Sequence, residues 1–199
     1  DMNDEVLETM ARHKNICKSI HLPAQSGSTK ILELMKRGYS REWYMDRIKS
    51  IRKIIPECSI STDIIAGFCN ESDEDHQASL SLLKWANFDF AYMFKYSERP
   101  NTYAQRKLED NVSEEIKSAR LTEIIELQNK ISAETKEKDL NKTFEVLVEG
   151  ISKKSKEHLF GRNSQNKVVV FPKENYVIGD FVDVLITDFT SATLKGKAM

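Results

Sequence analysis

The sequence predicts an α/β chain: a parallel sheet with intervening helices, followed by a small antiparallel β-barrel. Apolar β-type runs near residues 16–22, 59–67 and 89–96 alternate with segments whose apolar residues recur at three- and four-residue steps. That is the βαβα order of a parallel sheet. The middle run, Ser59-Ile60-Ser61-Thr62-Asp63-Ile64-Ile65-Ala66-Gly67, is nearly continuous in β-branched residues and reads as a strand buried on both faces. From Asn141 onward the texture changes to short β-type runs broken by Gly, Asn, Pro and Lys, the pattern of a small antiparallel barrel. The boundary is set near Leu140, giving residues 1–139 to the α/β part and 140–199 to the barrel.

Taken in order, Asn3 caps a first helix, with Asp4 and Glu5 in its opening turn and Val6, Leu7, Met10 and Ala11 on its apolar face. The first strand then runs into the stretch that organises the chain, Ile20-His21-Leu22-Pro23-Ala24-Gln25-Ser26-Gly27-Ser28. A strand ending in proline and a Gln-Ser-Gly-Ser turn, followed by helical spacing at Ile31, Leu34 and Met35, is a strand–loop–helix joint. Such a loop presents polar groups to a ligand or is simply a polar connection. Gln25 and Ser26 supply donors and acceptors, and Gly27 would let a ligand come close.

The helix after this loop is read to Lys36, with Gly38 ending it. Ser40 caps the next, to about Ile55, and places Trp43, Tyr44, Ile48, Ile51 and Ile55 against a sheet. Pro56 closes it. After the second strand, Ser72 caps a helix to about Ala86 with Asp75 as its capping-box partner. The third strand exits through Ser97-Glu98-Arg99-Pro100-Asn101-Thr102. Ser113 to about Lys138 is one long helix, with Ile116, Arg120, Ile124, Leu127 and Ile131 along one stripe and no heptads sustained enough for a coiled coil. The barrel runs are 143–149, 159–162, 167–171 and 181–187.

Composition bounds the function. The 199 residues are 40% hydrophobic and 31% charged, ordinary for a globular chain that buries a core. A net charge of -1 gives no overall electrostatic case for nucleic acid or membrane, so any such case rests on local patches. No apolar run reaches the length of about 18 residues that spans a bilayer, and the opening residues do not read as a signal peptide, so a cytoplasmic setting is expected. The three cysteines, Cys17, Cys58 and Cys69, are odd in number and widely spaced, which argues against a disulfide framework. They also lack the close spacing that converges on one iron–sulfur cubane, and each is placed at or inside a strand as a small hydrophobe.

Chemistry is expected where three strand ends converge: Gln25-Ser26-Gly27, Asp63 to Gly67, and Tyr96 to Arg99. Asp63 interrupts an apolar strand, so it must find a structural partner or face a ligand. Arg99 suits a carboxylate or phosphate, because its fork donates two parallel bonds. No glycine-rich phosphate loop is present, which disfavours an unrelated phosphate-binding α/β enzyme.

These motifs carry a resemblance. His-Leu-Pro-x-Gln-Ser-Gly-Ser (21–28), followed by Met35-Lys36-Arg37-Gly38-Tyr39-Ser40-Arg41-Glu42, resembles the second half of MiaB-type tRNA methylthiotransferases, which are radical S-adenosylmethionine (AdoMet) enzymes. Ser-Thr-Asp-Ile-Ile-Ala-Gly-Phe (61–68) with Glu71 is similar to the glycine-terminated strand where such enzymes hold AdoMet. Phe68-Cys69-Asn70-Glu71 stands where many relatives have Phe-Pro-Gly-Glu. Tyr-Ser-x-Arg-Pro-x-Thr (96–102) resembles the next strand end. Gly161-Arg162-Asn163, Asn166-Lys167-Val168-Val169 and Ala192-Thr193-Leu194-Lys195-Gly196 resemble segments of TRAM, a small RNA-binding barrel.

The resemblance implies that the α/β part is the second half of a partial parallel β/α (TIM-like) radical SAM barrel, with AdoMet contacts at Gln25, Ser26, Gly27, Asp63, Gly67, Glu71 and Arg99. It implies RNA contacts at Lys153, Lys154, Lys156, Arg162, Asn166, Lys167 and Lys195. It further implies two 4Fe-4S clusters in the full-length enzyme, none ligated by this chain, which is then a fragment inactive by itself. The expected partners are tRNA and an electron-donor protein, with no membrane, for a monomeric enzyme. The implied reaction adds a methylthio group at C2 of N6-isopentenyladenosine beside the anticodon. Alternatives are another tRNA adenosine or a ribosomal protein as substrate, and a stand-alone RNA-binding module on a non-catalytic α/β scaffold. An in-frame Cys-x3-Cys-x2-Cys upstream separates enzyme from module.

Overall fold

The structure, a computed structural model, describes residues 2–199. Strands β1 (Ser19–His21), β2 (Ser59–Ala66) and β3 (Phe90–Lys95) form a parallel sheet in the order β1-β2-β3. Helix α1 (Asp4–Arg12) precedes β1, α2 (Thr29–Leu34) and α3 (Arg41–Ile54) lie between β1 and β2, and α4 (Asp73–Ala86) lies between β2 and β3. Each of them starts on a side-chain cap, from Asn3, Ser28, Ser40 and Ser72, and Ser72 with Asp75 forms the full reciprocal capping box. A short helix not foreseen from sequence, α5 (Tyr103–Lys107), follows the third strand, and the long α6 spans Glu114–Glu137.

One face of the sheet is the core. Ile20, Ile60, Ile64 and Ala66 pack with Tyr44, Ile48 and Ile51 of α3 and with Leu82, Leu83 and Phe88. Alternate residues point the other way, and the register aligns His21 with Ser61, Ser61 with Phe90, Asp63 with Tyr92 and Ile65 with Phe94. This corrects the reading of β2 as buried on both faces: beyond Ser59 only its even-numbered residues are fully buried, because the helices cover one side of the sheet.

Other expectations also shift. β1 has three residues, and Cys17 lies before it, exposed. Lys36 takes the left-handed position after α2 at φ 59°, with Arg37 N–H bonded back to the Leu32 carbonyl, so Gly38 is not the helix stop. Trp43 is 44% exposed and stacks on Tyr39 rather than entering the core. The stripe on α6 holds for Arg120, Ile124 and Ile131, whereas Ile116 is exposed. That helix also buries Lys117, Gln128, Ser132 and Thr135, a polar seam that apolar periodicity does not register.

The C-terminal unit is a closed barrel of β4 (Thr143–Ile151), β5 (His158–Asn163), β6 (Val168–Pro172), β7 (Phe181–Phe189) and β8 (Leu194–Ala198), in the order β4-β5-β6-β8-β7. The last of these strands was not read from sequence. Its parallel pairing with β6 and antiparallel pairing with β7 close the barrel. Val146, Val148, Leu159, Val169, Phe171, Val184 and Ile186 fill the interior. Polar bonds join the two units. Lys167 Nζ reaches Asp139 at 2.6 Å and Asp89 at 3.1 Å, and Gln165 Nε2 donates to the Glu57 carbonyl at 2.6 Å. Glu57 and Asp89 precede β2 and β3, so the barrel is anchored at the N-terminal ends of the parallel strands. Among the described residues no helix is long and apolar enough to cross a membrane.

Candidate functional site

At the opposite, C-terminal ends of the strands lies a cleft of about 520 Å³. Gln25, Asp63 and Arg99 are among its polar groups, together with Arg37, Lys95, Ser97 and Thr102, and Ile65, Phe94 and Tyr96 form much of its apolar wall. Pro23 interrupts the chain after β1, and backbone pairing with β2 resumes at Gln25. The Gln25 N–H donates to the Asp63 carbonyl at 2.8 Å, and its carbonyl accepts from Ile65 N–H at 2.9 Å. These two bonds hold Gln25 at φ 68°, the left-handed region, which costs a residue with a Cβ about 1–2 kcal/mol. Strain of this kind persists where surrounding structure enforces it, and it clusters at ligand sites.

Asp63 has found a protein partner without leaving the cleft. His21 Nε2 sits 3.3 Å from its carboxylate, while His21 Nδ1 lies 3.0 Å from Ser61 Oγ and the imidazole meets Tyr92 edge-on. Sequence reasoning missed His21. The signal was available: it stands on the same strand face as Asp63 once the two strands are aligned in parallel. Phe90, Tyr92 and Phe94 continue this face as a half-exposed aromatic row.

Four of the expected cofactor residues are not on the cleft. Ser26 is buried, with its hydroxyl 3.4 Å from Ser79 Oγ. Gly27 is required by packing against α4: a Cβ there would run into the Ala78 carbonyl and lie 2.5 Å from Ser79 Cα. Gly67, at φ 73°, leaves no room for a Cβ beside Lys117 and donates its N–H to Glu71 Oε2 at 2.8 Å. Glu71 is itself buried and paired with Arg120 at 2.9 Å. Burial pushes the Glu71 carboxyl up, against the Gly67 N–H and Arg120, which pull it down. These residues therefore shape the rim from behind.

The loop is fixed from α4 as well. Asp75 accepts from Ser28 Oγ at 2.7 Å and pairs with Lys30 at 2.7 Å. Burial works against this carboxylate, but Lys30, Ser28 and Ser72 outweigh it and hold its pKa down at about 2. The cysteines are free: Cys58 and Cys69 are buried and Cys17 exposed, and burial raises Cys58 to about 11. Among the described residues no three His, Cys, Asp or Glu side chains gather as a metal-ion site.

On the barrel, Lys153, Lys154 and Lys195 line a second groove, of about 800 Å³. Lys156 is exposed on the same loop. Arg162 is engaged with Glu149 at 3.3 Å and Asn166 Oδ1 at 2.8 Å, and Asn166 itself forms a left-handed turn at φ 60°. Lys167 departs from its expected role: its side chain is 14% exposed and is committed to Asp139 and Asp89.

Comparison with known proteins agrees with this two-part architecture. Residues 1–83 match the Radical SAM superfamily and residues 137–199 the TRAM domain. The chain is 60% identical over 197 residues to the tRNA-2-methylthio-N(6)-dimethylallyladenosine synthase of Phocaeicola vulgatus, covering 99% of this chain and 43% of that protein. The protein of the same name from Bacteroides thetaiotaomicron is 58% identical with the same coverage, and that from Porphyromonas gingivalis is 55% identical over all 199 residues and 43% of its own length. The chain thus spans less than half the length of the curated relatives it matches. A solved structure, coproporphyrinogen III oxidase of Escherichia coli, a radical SAM enzyme, aligns with a TM-score of 0.55 at 16% identity, over 93% of this chain and 44% of its own, which bears on the fold alone. With a radical SAM segment leading into a TRAM barrel, the chain is similar over nearly its whole length to the C-terminal part of these tRNA-2-methylthio-N(6)-dimethylallyladenosine synthases.

Proposed function

We propose that the protein is a tRNA-modifying radical SAM methylthiotransferase that adds a methylthio group at C2 of N6-isopentenyladenosine beside the anticodon. The observation that carries this reading is the strand-end cleft, where a strained Gln25 stands with Asp63 and Arg99. Its volume lies within the usual range for small-molecule sites, and its mixed lining matches AdoMet. The Arg99 guanidinium suits the AdoMet carboxylate, Asp63 suits its ammonium or ribose hydroxyls, and the apolar wall suits the adenine. Ser26, Gly27, Gly67 and Glu71 serve by holding that rim in shape. The 4Fe-4S clusters supply one-electron chemistry in such enzymes, and their ligands are assigned to sequence outside this chain.

The barrel provides the tRNA contact, through Lys153, Lys154, Lys156 and Lys195. It is anchored at the N-terminal ends of strands whose C-terminal ends carry the cleft. The eight residues of β2 rise about 26 Å, so a substrate touching both needs the reach of a nucleic acid. An electron-donor protein completes the partners of a monomeric, cytoplasmic enzyme.

In the reconstituted full-length enzyme, Gln25→Ala and Asp63→Ala are each expected to weaken AdoMet binding at least tenfold, measured by equilibrium dialysis. A charge-assisted contact is worth about 1.5–3 kcal/mol, which corresponds to that loss. Unchanged affinity in both variants would return these residues to structural roles.

A further inference from the structure

We propose that the outer face of β5, β6 and β8 is a stacking platform for an unpaired RNA base, with Phe160 at its centre. The inference rests on the reading of the barrel as the RNA-contacting unit and goes beyond its lysines.

The register places Phe160 beside Val170, and Val170 beside Lys195. Phe160, Val168 and Val170 alternate with the buried Leu159, Val169 and Phe171, so they face outward and form the floor of the 800 Å³ groove. Phe160 is held in place from below. Gly150 is its cross-strand partner beside a bulge in β4, and a Cβ at Gly150 would lie 2.9 Å from Phe160 Cε1. The ring therefore lies across bare backbone, with no side chain competing for that space.

The rim is cationic. Lys153 and Lys154 come from the loop after β4, and Lys195 and Lys197 from β8. Asp188 is the one acidic residue lining the groove, and it is bound to Lys195 at 2.9 Å. A small apolar floor with one aromatic ring, bordered by four lysines, complements a flat ring joined to phosphates. A membrane would need a far larger apolar face, and an acidic peptide carries no required ring. Stacking on an aromatic side chain and phosphate contact at the rim are how single strands are held without base pairing.

The test uses the full-length protein and two fluorescein-labelled RNA oligomers of equal length, oligouridylate and a matched strand of abasic riboses. Both carry the same phosphates, and anisotropy reads the affinities. The wild-type protein is expected to bind oligouridylate about tenfold more tightly than the abasic strand, in line with the value of one base–aromatic stack. Phe160→Leu should erase that preference while leaving abasic binding unchanged, and Phe160→Tyr should keep it. Phe160→Trp adds a reading that does not depend on the leucine variant folding well: its added indole emission should be quenched by oligouridylate and not by the abasic strand. Equal binding of both strands, with the usual salt dependence, would overturn the platform and leave the RNA reading standing. Persistence of the preference in Phe160→Leu, or an unquenched indole, would overturn it as well. Failure of both strands to bind would remove the RNA reading and the platform together.

Discussion

Replacing Arg120 with leucine should lower the stability of the fold by about 3–5 kcal/mol, the range for removing one partner of a buried ion pair. Arg120 is the only cation bonded to the Glu71 carboxylate among the described residues, and the two side chains are 8% and 1% exposed. Arg120 also donates to the Glu71 carbonyl at 3.0 Å, whereas its other charged partner, Asp73, is 91% exposed and contributes little. Without the guanidinium, Glu71 keeps the Gly67 N–H and loses its counter-charge. Burial already raises the Glu71 carboxyl, so its ionised form is penalised in the folded state. A carboxyl whose folded pKa lies above its unfolded value favours folding when protonated and loses that contribution as pH rises through the folded pKa. In Arg120→Leu the folded pKa climbs further. The deficit relative to wild type should therefore be largest near pH 7.5 and smaller near pH 4.5. Urea unfolding at both values measures it, and a deficit below 1 kcal/mol at pH 7.5 would show that the pair contributes little beyond a well-packed apolar side chain.

The second large effect is expected at Lys167. Lys167→Met should cost about 3 kcal/mol, the lower end for a broken buried pair, because both carboxylates retain some support. Asp139 keeps Lys142 at 3.5 Å, and Asp89 keeps the Ile60 N–H at 3.0 Å. The barrel should also become more sensitive to proteolysis at its junction with α6. A phosphate-contacting lysine would behave differently, flattening the log–log salt dependence of RNA binding by about 0.7–0.9 while leaving stability intact. Thermal unfolding and a salt titration of tRNA binding on the same variant separate the two roles. Flattening without destabilisation would restore Lys167 to the RNA surface.

Local rules were read well from sequence because their partners are three residues away. Asn3, Ser40, Ser72 with Asp75, and Ser113 all cap helices as their types and spacing predict. The alternation of apolar residues likewise placed three parallel strands and four of the barrel's five. What escaped is non-local. Arg120 with Glu71 and Lys167 with Asp139 are 49 and 28 positions apart, and nothing in either neighbourhood marks the partner. Trp43 shows the limit of periodicity: its spacing is that of a core residue, but Tyr39 gives the indole a surface to stack on outside the core. At the cleft, Gln25, Asp63 and Arg99 were legible as polar residues at strand ends. The left-handed backbone at Gln25 and the His21–Asp63 pair were not, since both follow from the register of β1 on β2.

The central claim, that the strand-end cleft belongs to a tRNA methylthiotransferase, is tested most directly by mass spectrometry of nucleosides from digested tRNA. A strain lacking the gene should accumulate N6-isopentenyladenosine without its methylthio group. The full-length wild-type gene should restore the modified nucleoside, and the Asp63→Ala gene, expressed to the same level, should restore little of it. Methylthiolated nucleoside at wild-type levels in the deletion strain, or full restoration by Asp63→Ala, would contradict the account.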